Sequence, residues 1–453
     1  MSGTALVHGI ALSGVAVADA LHRRGWRVLV ADDAPTDAKR AAAAAVGATL
    51  VERPDDETIA RLVDASDIVC PAPGVPETHA VVLHAQASGT PLRTEIDLAY
   101  EWEQERPGGA RPMLAVTGTD GKTTTTLLAA HLAQGAGHRV AAVGNTETPL
   151  VAALDEPVDV FVVECSSFRL NWLDSFRAEA AVWLNLAPDH QNWHRSLESY
   201  IAAKARMWAH RRPGDVAIGC VDDPVVMAHL RAAGGTTRTF GRSGADYTVE
   251  GDRLVGPAGR IAAVSALPRT LPHDLTNTLA AAALVLESGL SDPAAIEAAL
   301  PSFRHPVHRI EPVAEHRGVR WFNDSKATTP HAARTALRSF DRVVLLAGGR
   351  NKGLDLTELA AERQHVCAVV GLGEAGAEVA AAFEGHCPTV TATSMGDAVE
   401  TAARLAASGD VVLLSPACAS FDWYPDGGYP ARGDDFKRLV HAYIERDSAR
   451  CAS

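Results

Sequence analysis

Residues 117–126, TGTDGKTTTT, set two glycines, a lysine and a run of hydroxyl residues where a strand hands over to a helix. A glycine-rich turn at a helix N-terminus offers converging backbone N–H groups to phosphate oxygens. Lys122 can reach the terminal phosphates of a nucleoside triphosphate, and the Thr123 hydroxyl can hold Mg²⁺. The spacing is compressed. The common phosphate loop carries a glycine where Val116 stands, and only Gly118 is within reach to replace it.

More chemistry follows at the ends of the next apolar runs. In DVFVVECSSF the run stops at Glu164, and WLNLAPDHQNWH leads into Asp189 and His190. A carboxylate and a neutral imidazole beside a triphosphate can both ligate a divalent cation. SYIAAKARMW puts Lys204 in a helical stretch, where its type alone marks no more than a solvated charge.

Positioning these groups requires a scaffold that gathers strand ends. Short β-branched runs alternate with Ala-rich stretches throughout, which predicts an α/β fold with mainly parallel sheets. Ligands of such sheets bind outside the carboxyl ends of the strands, where Glu164 and His190 fall. The opening TALVHGIALSGVAVADALHRRGWRVLVADD predicts a Rossmann-like strand, glycine turn, helix and second strand ending at Asp32 and Asp33. Ala11 stands at the middle glycine of a dinucleotide fingerprint, which argues against NAD. RPGGARP at 106–112 is expected to be a linker, and the Gly/Thr/Arg-rich stretch 236–265 a small β subdomain. Ala-rich helices between 274 and 300 close the middle part, and a third βα series starts at SFRHPVHRIEPV. A chain of 453 residues suits about three domains, here 1–110, 111–302 and 303–453.

The composition, 47% apolar and 21% charged with a net charge of −13, excludes a nucleic-acid surface. Seven scattered cysteines without a C-x-x-C pair suit a reducing compartment. No apolar run approaches the ~18 residues of a membrane span, and the N-terminus shows no signal pattern, so a cytoplasmic location is expected.

The motifs TGTDGKTTTT, ECSSF, NLAPDHQNWH, AAKARMW, HRIE, FNDSKATTPHAA and SPACASFD together resemble the Mur ligase family, over essentially the whole chain. The compressed loop is similar to that family's phosphate loop. The resemblance implies a Rossmann-like UDP-binding domain, a central P-loop ATPase-like domain and a C-terminal Rossmann-like domain. It implies an ATP-dependent ligase that adds glutamate, D-glutamate by family default, to UDP-N-acetylmuramoyl-L-alanine in peptidoglycan precursor synthesis. ATP and two Mg²⁺ would serve it, with small molecules as partners, a monomeric chain, and closure of the domains before chemistry.

Residue roles follow from the same resemblance. Gly118, Thr119, Asp120, Gly121, Lys122, Thr123 and Thr124 would hold the phosphates. Glu164 and His190 would each hold Mg²⁺, and Lys204 matches the lysine that the family carbamylates with CO₂. Asn277 and Arg309 would contact ATP, with Asp324 near the ribose. Ser13, Gly14 and Asp32 would lie near the UDP group, and Asn145 and Ser166 would meet the muramoyl peptide. Lys326, Thr328, Lys352, Ser420, Phe421 and Tyr429 would receive the amino acid, since cationic and hydroxyl groups suit a dicarboxylate.

Four departures from the family pattern stand out. Asp120 replaces the usual Asn, Gln191 and Asn192 replace an apolar residue and an acid, and His273-Asp274 replaces His-Asn. The stretch before Arg432, WYPDGGYPARG, carries about two extra residues next to the expected glutamate pocket, with Tyr429 at the family's aromatic position. Alternatives are the same chemistry with L-glutamate, or a catalytically inactive ligase-like partner. Joint retention of Lys122, Glu164, His190 and Lys204 argues against inactivity.

Overall fold

The computed structural model describes residues 3–191 and 193–452, and the chain divides into two compact units, Met1–Phe303 and Arg304–Ser453. The first unit begins with a four-stranded parallel sheet in the order Leu50–Glu52, Arg27–Asp32, Thr4–His8, Ile68–Pro71. Helix Leu12–Arg23 follows the first strand directly. Gly14 lets it pack there, because a Cβ at that position would lie 1.9 Å from the carbonyl oxygen of Gly9.

A six-stranded parallel sheet follows, ordered Thr236–Phe240, Val216–Cys220, Ala180–Trp183, Met113–Thr117, Val160–Glu164, Val140–Gly144. Its central strands are apolar on both faces, as a sheet covered on both sides requires. Leu114, Val116, Val160 and Val162 pack with Leu128 and Leu132 of helix Lys122–Gly135 and Leu279 of helix Pro272–Glu287. On the opposite face Met113, Ala115, Phe161 and Val163 join Leu21, Tyr100 and Trp208. That second core is shared with the first sheet's helix, so the two sheets belong to one unit. Truncating the fully buried Phe161 to Ala would cost about 3–5 kcal/mol.

Two sequence expectations are corrected. Arg111, in the supposed linker, is buried and pairs with both oxygens of Glu103 at 2.7–2.9 Å, while its remaining donors bind the carbonyls of Leu154 and Glu156. The segment is therefore anchored and does not act as a free tether. Within 236–265, Thr236–Phe240 joins the edge of the large parallel sheet, and only Thr248–Glu250, Arg253–Gly256 and Gly259–Ala263 form a separate antiparallel ribbon.

The second unit holds a six-stranded sheet in the order Glu311–His316, Val319–Asn323, Val411–Ala417, Val343–Gly348, Val366–Leu372, Thr389–Thr391. Its first pair is antiparallel and the rest are parallel. Helix Gly428–Ala452 closes the chain, with Phe436 and Val440 in the core against Trp321. Among the described residues no helix is long and apolar enough to cross a membrane.

Candidate functional site

The phosphate loop joins strand Met113–Thr117 to helix Lys122–Gly135. Gly121 is left-handed (φ +80°), and a Cβ on it would stand 2.7 Å from Oδ1 of Asn277. A glycine there both makes the turn and admits Asn277 against the loop. Asn185 shapes the loop from the neighbouring strand's end, its Oδ1 accepting Thr119 N at 3.0 Å and Asp120 N at 2.9 Å. Thr119 Oγ1 lies 3.0 Å from the Tyr200 hydroxyl and accepts Ala187 N at 2.9 Å. Thr124 is buried and Thr123 half-buried in the helix's first turn.

Two lysine side chains converge on this loop. Lys122 Nζ donates to the carbonyls of Gly118 (2.9 Å) and Thr119 (2.8 Å), and Lys204 Nζ donates to the same Gly118 oxygen at 2.7 Å. Lys204 is 1% exposed and lies 4.7 Å over the Tyr200 ring. Among the described residues neither lysine has a carboxylate within ion-pair distance. Burial first, then the charge of Lys122, pushes the Lys204 pKa well below the usual lysine range. A lysine whose type alone marks no more than a solvated charge is therefore buried and desolvated.

Glu164 ends strand Val160–Glu164, in register with Val116 just before the loop, and is buried. Its Oε1 accepts Asn145 Nδ2 at 2.8 Å, while Oε2 is buried without a hydrogen-bond partner among the described residues. Asn145 is held in turn by Arg169, whose Nη1 donates to Asn145 Oδ1 at 2.7 Å. Arg169 Nη2 donates to Ser13 Oγ at 2.7 Å and Nε to Glu95 at 3.2 Å. Ser166 caps the short helix Ser167–Leu170 that carries Arg169.

His190 follows strand Ala180–Trp183 in a left-handed conformation (φ 56°), with its ring 4.6 Å from Phe168. Desolvation lowers its pKa to about 4; nearby Asp189 opposes this and the two lysines reinforce it. At neutral pH the imidazole is uncharged, as a metal ligand must be. Asn192 lies outside the described residues. Glu164, Thr123 and His190 follow three adjacent strands of the sheet, and a carboxylate, a hydroxyl and a neutral imidazole are ligand types that suit a divalent cation.

Other expected residues have structural partners. Asp32 accepts from Ile10 N and Ala34 N at 2.9 Å and from Lys39 Nζ at 2.7 Å, so it fixes the first sheet's carboxyl edge. Nearby, Asp33 Oδ2 lies 3.2 Å from His8 Nε2 and 3.0 Å from His79 Nε2. Because Val81 N–H donates to His79 Nδ1, the His79 proton sits on Nε2, and the cluster is a hydrogen-bonded bridge. The departure at Asp274 also has a structural reason. It pairs with Arg269 at 2.6 and 2.8 Å and accepts from Leu271 N at the start of helix Pro272–Glu287.

In the second unit Asp324 is buried, accepting from Ile310 N at 3.2 Å and Ser415 Oγ at 2.8 Å, with Arg309 adjacent in sequence to Ile310. Lys326 Nζ stands 6.0 Å over the Tyr429 ring, and the Tyr429 carbonyl accepts from Ser325 Oγ at 2.8 Å. Ser420 is buried, Thr328 half-buried, and Lys352 and Phe421 exposed. Arg432 is 2% exposed at the start of the last helix. Its Nε donates to Ser325 Oγ (3.0 Å) and Nη2 to the carbonyls of Ser325 (2.9 Å) and Cys418 (3.1 Å). Its Nη1 is buried without a partner among the described residues, and burial pushes its pKa down to about 10. Sequence reasoning missed Asn185, Tyr200, Arg169, Glu95 and Arg432 as site residues. Several sit inside the motifs, but their roles come from partners far along the chain.

Residues 116–285 match the Mur ligase middle domain, and residues 308–418 match the Mur ligase glutamate ligase domain. The chain is 44% identical over 452 residues to the UDP-N-acetylmuramoylalanine–D-glutamate ligase of Frankia casuarinae, covering 96% of this chain and 93% of that one. The enzyme of the same name from Streptomyces avermitilis is 38% identical, with 96% and 97% covered. Among solved structures, the UDP-N-acetylmuramate-alanine ligase of Thermotoga maritima superposes with a TM-score of 0.59 at 18% identity, covering 97% of this chain and 100% of that one. A MurF ligase from Thermotoga maritima in complex with ADP gives 0.60 at 16% identity, covering 98% and 95%. At these identities the two structures share the fold.

Proposed function

The chain belongs to the Mur ligase family, and on that premise we propose that it joins D-glutamate to UDP-N-acetylmuramoyl-L-alanine at the expense of ATP. The observation that carries this reading is the pair of lysine side chains converging on the phosphate loop beside a buried carboxylate with one oxygen unpartnered among the described residues. A triphosphate and its counter-ions supply the charges that these groups lack.

The reaction divides into two steps. The L-alanyl carboxylate attacks the γ-phosphorus of ATP and ADP leaves, giving an acyl phosphate. The neutral amino group of glutamate then adds to the acyl carbon, and the tetrahedral intermediate expels phosphate and loses a proton. Activation is necessary because a carboxylate oxygen is too basic to leave at neutral pH. Lys122 would exchange its two loop carbonyls for the γ-phosphate at little cost, since its hydrogen bonds are replaced one for one. The loop N–H groups, held by Asn185, would orient the phosphates, and Asn277 beside Gly121 would contact the nucleotide. Such fixed donors are the main catalytic means available to phosphoryl transfer.

Thr123, Glu164 and His190 would hold two Mg²⁺, which when bound offset phosphate charge. Lys204 would react as the free amine with CO₂, forming an N-carboxylate and releasing a proton. That change turns an amine whose charged form is disfavoured beside Lys122 into an anion attracted to it. Ser13, Gly14 and the edge fixed by Asp32 would receive the UDP group, and Asn145 and Ser166 the muramoyl peptide. In the second unit Arg309 and Asp324 would serve the nucleotide. Lys326, Thr328, Lys352, Ser420, Phe421 and Tyr429 would take the amino acid, with Arg432 as buried countercharge. Division into domains 1–110, 111–302 and 303–453, a monomeric state and a cytoplasmic setting complete the proposal.

The test is ATP-dependent phosphate release with UDP-N-acetylmuramoyl-L-alanine, comparing D- and L-glutamate. Release with D-glutamate alone is expected. Release with L-glutamate alone would keep the chemistry and shift specificity to the altered segment before Arg432, and no release with either would overturn the ligase reading.

A further inference from the structure

Arg169 occupies an unusual place among the charged groups of the first unit. It is 5% exposed, and each of its three nitrogens serves a different partner: Glu95, Asn145 and Ser13. A guanidinium can only donate hydrogen bonds. Asn145 must therefore turn its oxygen toward Arg169, which leaves its NH₂ to face Glu164 Oε1 at 2.8 Å. With Oε1 held in this way, Oε2 of Glu164 is left without a partner among the described residues. At the other end, Ser13 Oγ accepts from Arg169, so its own O–H is available to donate elsewhere. Ser13, Gly14, Pro73, Phe168 and Arg169 line a small cavity on that side.

The charge balance shows what kind of residue this is. Glu95 pairs with Arg169 and also accepts Val151 N at 3.0 Å, so the pair is closed and neutral. Arg169 is thus poorly suited to be the countercharge of a bound anion and well suited to fix geometry. Successive links of 2.7, 2.7 and 2.8 Å join Ser13, Arg169, Asn145 and Glu164 without a break. A displacement of Ser13 would pull on the guanidinium, and a turn of the guanidinium would pull on the amide that holds the Glu164 carboxylate.

We propose that Arg169 is a positioning residue that couples occupancy of the UDP-sugar site at Ser13 to divalent-cation affinity at Glu164. The inference rests on the functional reading above. Ser13 moving onto a bound nucleotide-sugar tightens the relay, and the cation then meets a carboxylate already in place. Linkage makes the coupling reciprocal: the factor by which the sugar nucleotide strengthens cation binding equals the factor by which the cation strengthens sugar-nucleotide binding.

The test uses Mn²⁺ as a paramagnetic probe and reads equilibrium binding instead of turnover. Mn²⁺ affinity is measured on the full chain with a non-hydrolysable ATP analogue, with and without UDP-N-acetylmuramoyl-L-alanine. In the wild type the sugar nucleotide should tighten Mn²⁺ binding by about 5-fold or more, the lower end of usual coupling strengths. Ser13→Ala removes one link and leaves the buried Arg169–Glu95 pair intact, and it should bring the ratio close to one. The double variant Arg169→Met with Glu95→Gln removes the relay without stranding a buried charge and should do the same. A wild-type ratio of one, or a ratio unchanged in both variants, overturns the coupling. A wild type that couples nothing yet releases phosphate with D-glutamate overturns this inference alone. One that neither binds the sugar nucleotide nor releases phosphate overturns the functional reading beneath it.

Discussion

The phosphate-loop corner of the first unit and the corner around Arg432 in the second each hold a buried charged group with an atom left unpartnered among the described residues. Their signs are opposite. Glu164 has one oxygen held by a neutral amide and the other unclaimed, whereas Arg432 has its held nitrogens on carbonyls and a hydroxyl, with Nη1 unclaimed. Neither has an ion-pair partner among the described residues. Taking an ion out of water costs several kcal/mol even after relaxation, and neutral partners recover only part of it. Exposed pairs such as Arg40–Glu52 stand at the other extreme, closed within the protein and screened by solvent. Buried charges left open are explicable as halves of pairs whose other halves arrive with the ligands. A bare oxygen calls for a cation, and a bare guanidinium nitrogen calls for a carboxylate.

The largest expected effect lies in the first corner. Lys204→Ala should lower phosphate release by roughly 10³-fold, on the scale of losing a preorganised transition-state contact, without unfolding the protein. Bicarbonate should not rescue it. Near-normal activity in this variant would remove Lys204 from the chemistry and leave the first corner with Glu164 as its only anionic ligand.

The second corner should fail differently. Arg432→Met keeps the apolar stem and removes the charge. It should raise KM for glutamate by about 100-fold, the scale of losing one side of a buried charge pair, while leaving KM for ATP within a few-fold. A purely structural arginine would lower stability without altering substrate choice. The discriminating readout is therefore the preference for glutamate over glutamine, a neutral isostere, which should shrink in the variant. An unchanged preference would mean that Arg432 only ties Ser325 to Cys418, and the symmetry between the corners would fall.

The two corners also differ in how far they could be read from sequence. The helix starting at Lys122 and the strand ending at Glu164 were legible because the switch from apolar run to glycine turn is local. The partners that make those residues work were not. Arg169 meets Glu95 across 74 positions and Lys204 meets Gly118 across 86, and no local pattern encodes such distances. Lys204 shows the gap most clearly: a helical lysine is ordinarily solvated, and only the packed Tyr200 and the loop beneath it bury the amine. Arg111 was misread for the same reason, since Pro and Gly around it signal a tether while its side chain is locked to Glu103. Asp274 departs from the family's His-Asn pattern, and Arg269 five residues earlier supplies its partner.

The smallest expected effect compares the units as wholes. Burial depresses the pKa values of His8, His190 and His194 in the first unit and of His308 in the second. Each is easier to protonate in the unfolded chain, where the value lies near 6.5. The sign follows: above about pH 6.5 these groups cost nothing, and as pH falls toward the folded value the unfolded state gains protons that the native state refuses. Stability is therefore lost on acidification, and of the described histidines whose values are lowered three lie in the first unit and one in the second. Glu101, raised by burial, works in the opposite direction in the first unit and trims the difference. Carboxylates with depressed values, such as Asp32 and Asp410, act only below their unfolded values near pH 4. Between pH 7 and 5 the histidines thus dominate, and hydrogen exchange should show protection falling faster in Val160–Glu164 than in Val343–Gly348. His194 is the group to remove, because its ring is closed by Glu77 at 2.8 Å and Ser167 at 2.9 Å and is not an assigned ligand. His194→Gln should flatten the first unit's pH dependence toward that of the second, and an unchanged slope would place the sensitivity in His8 and His190.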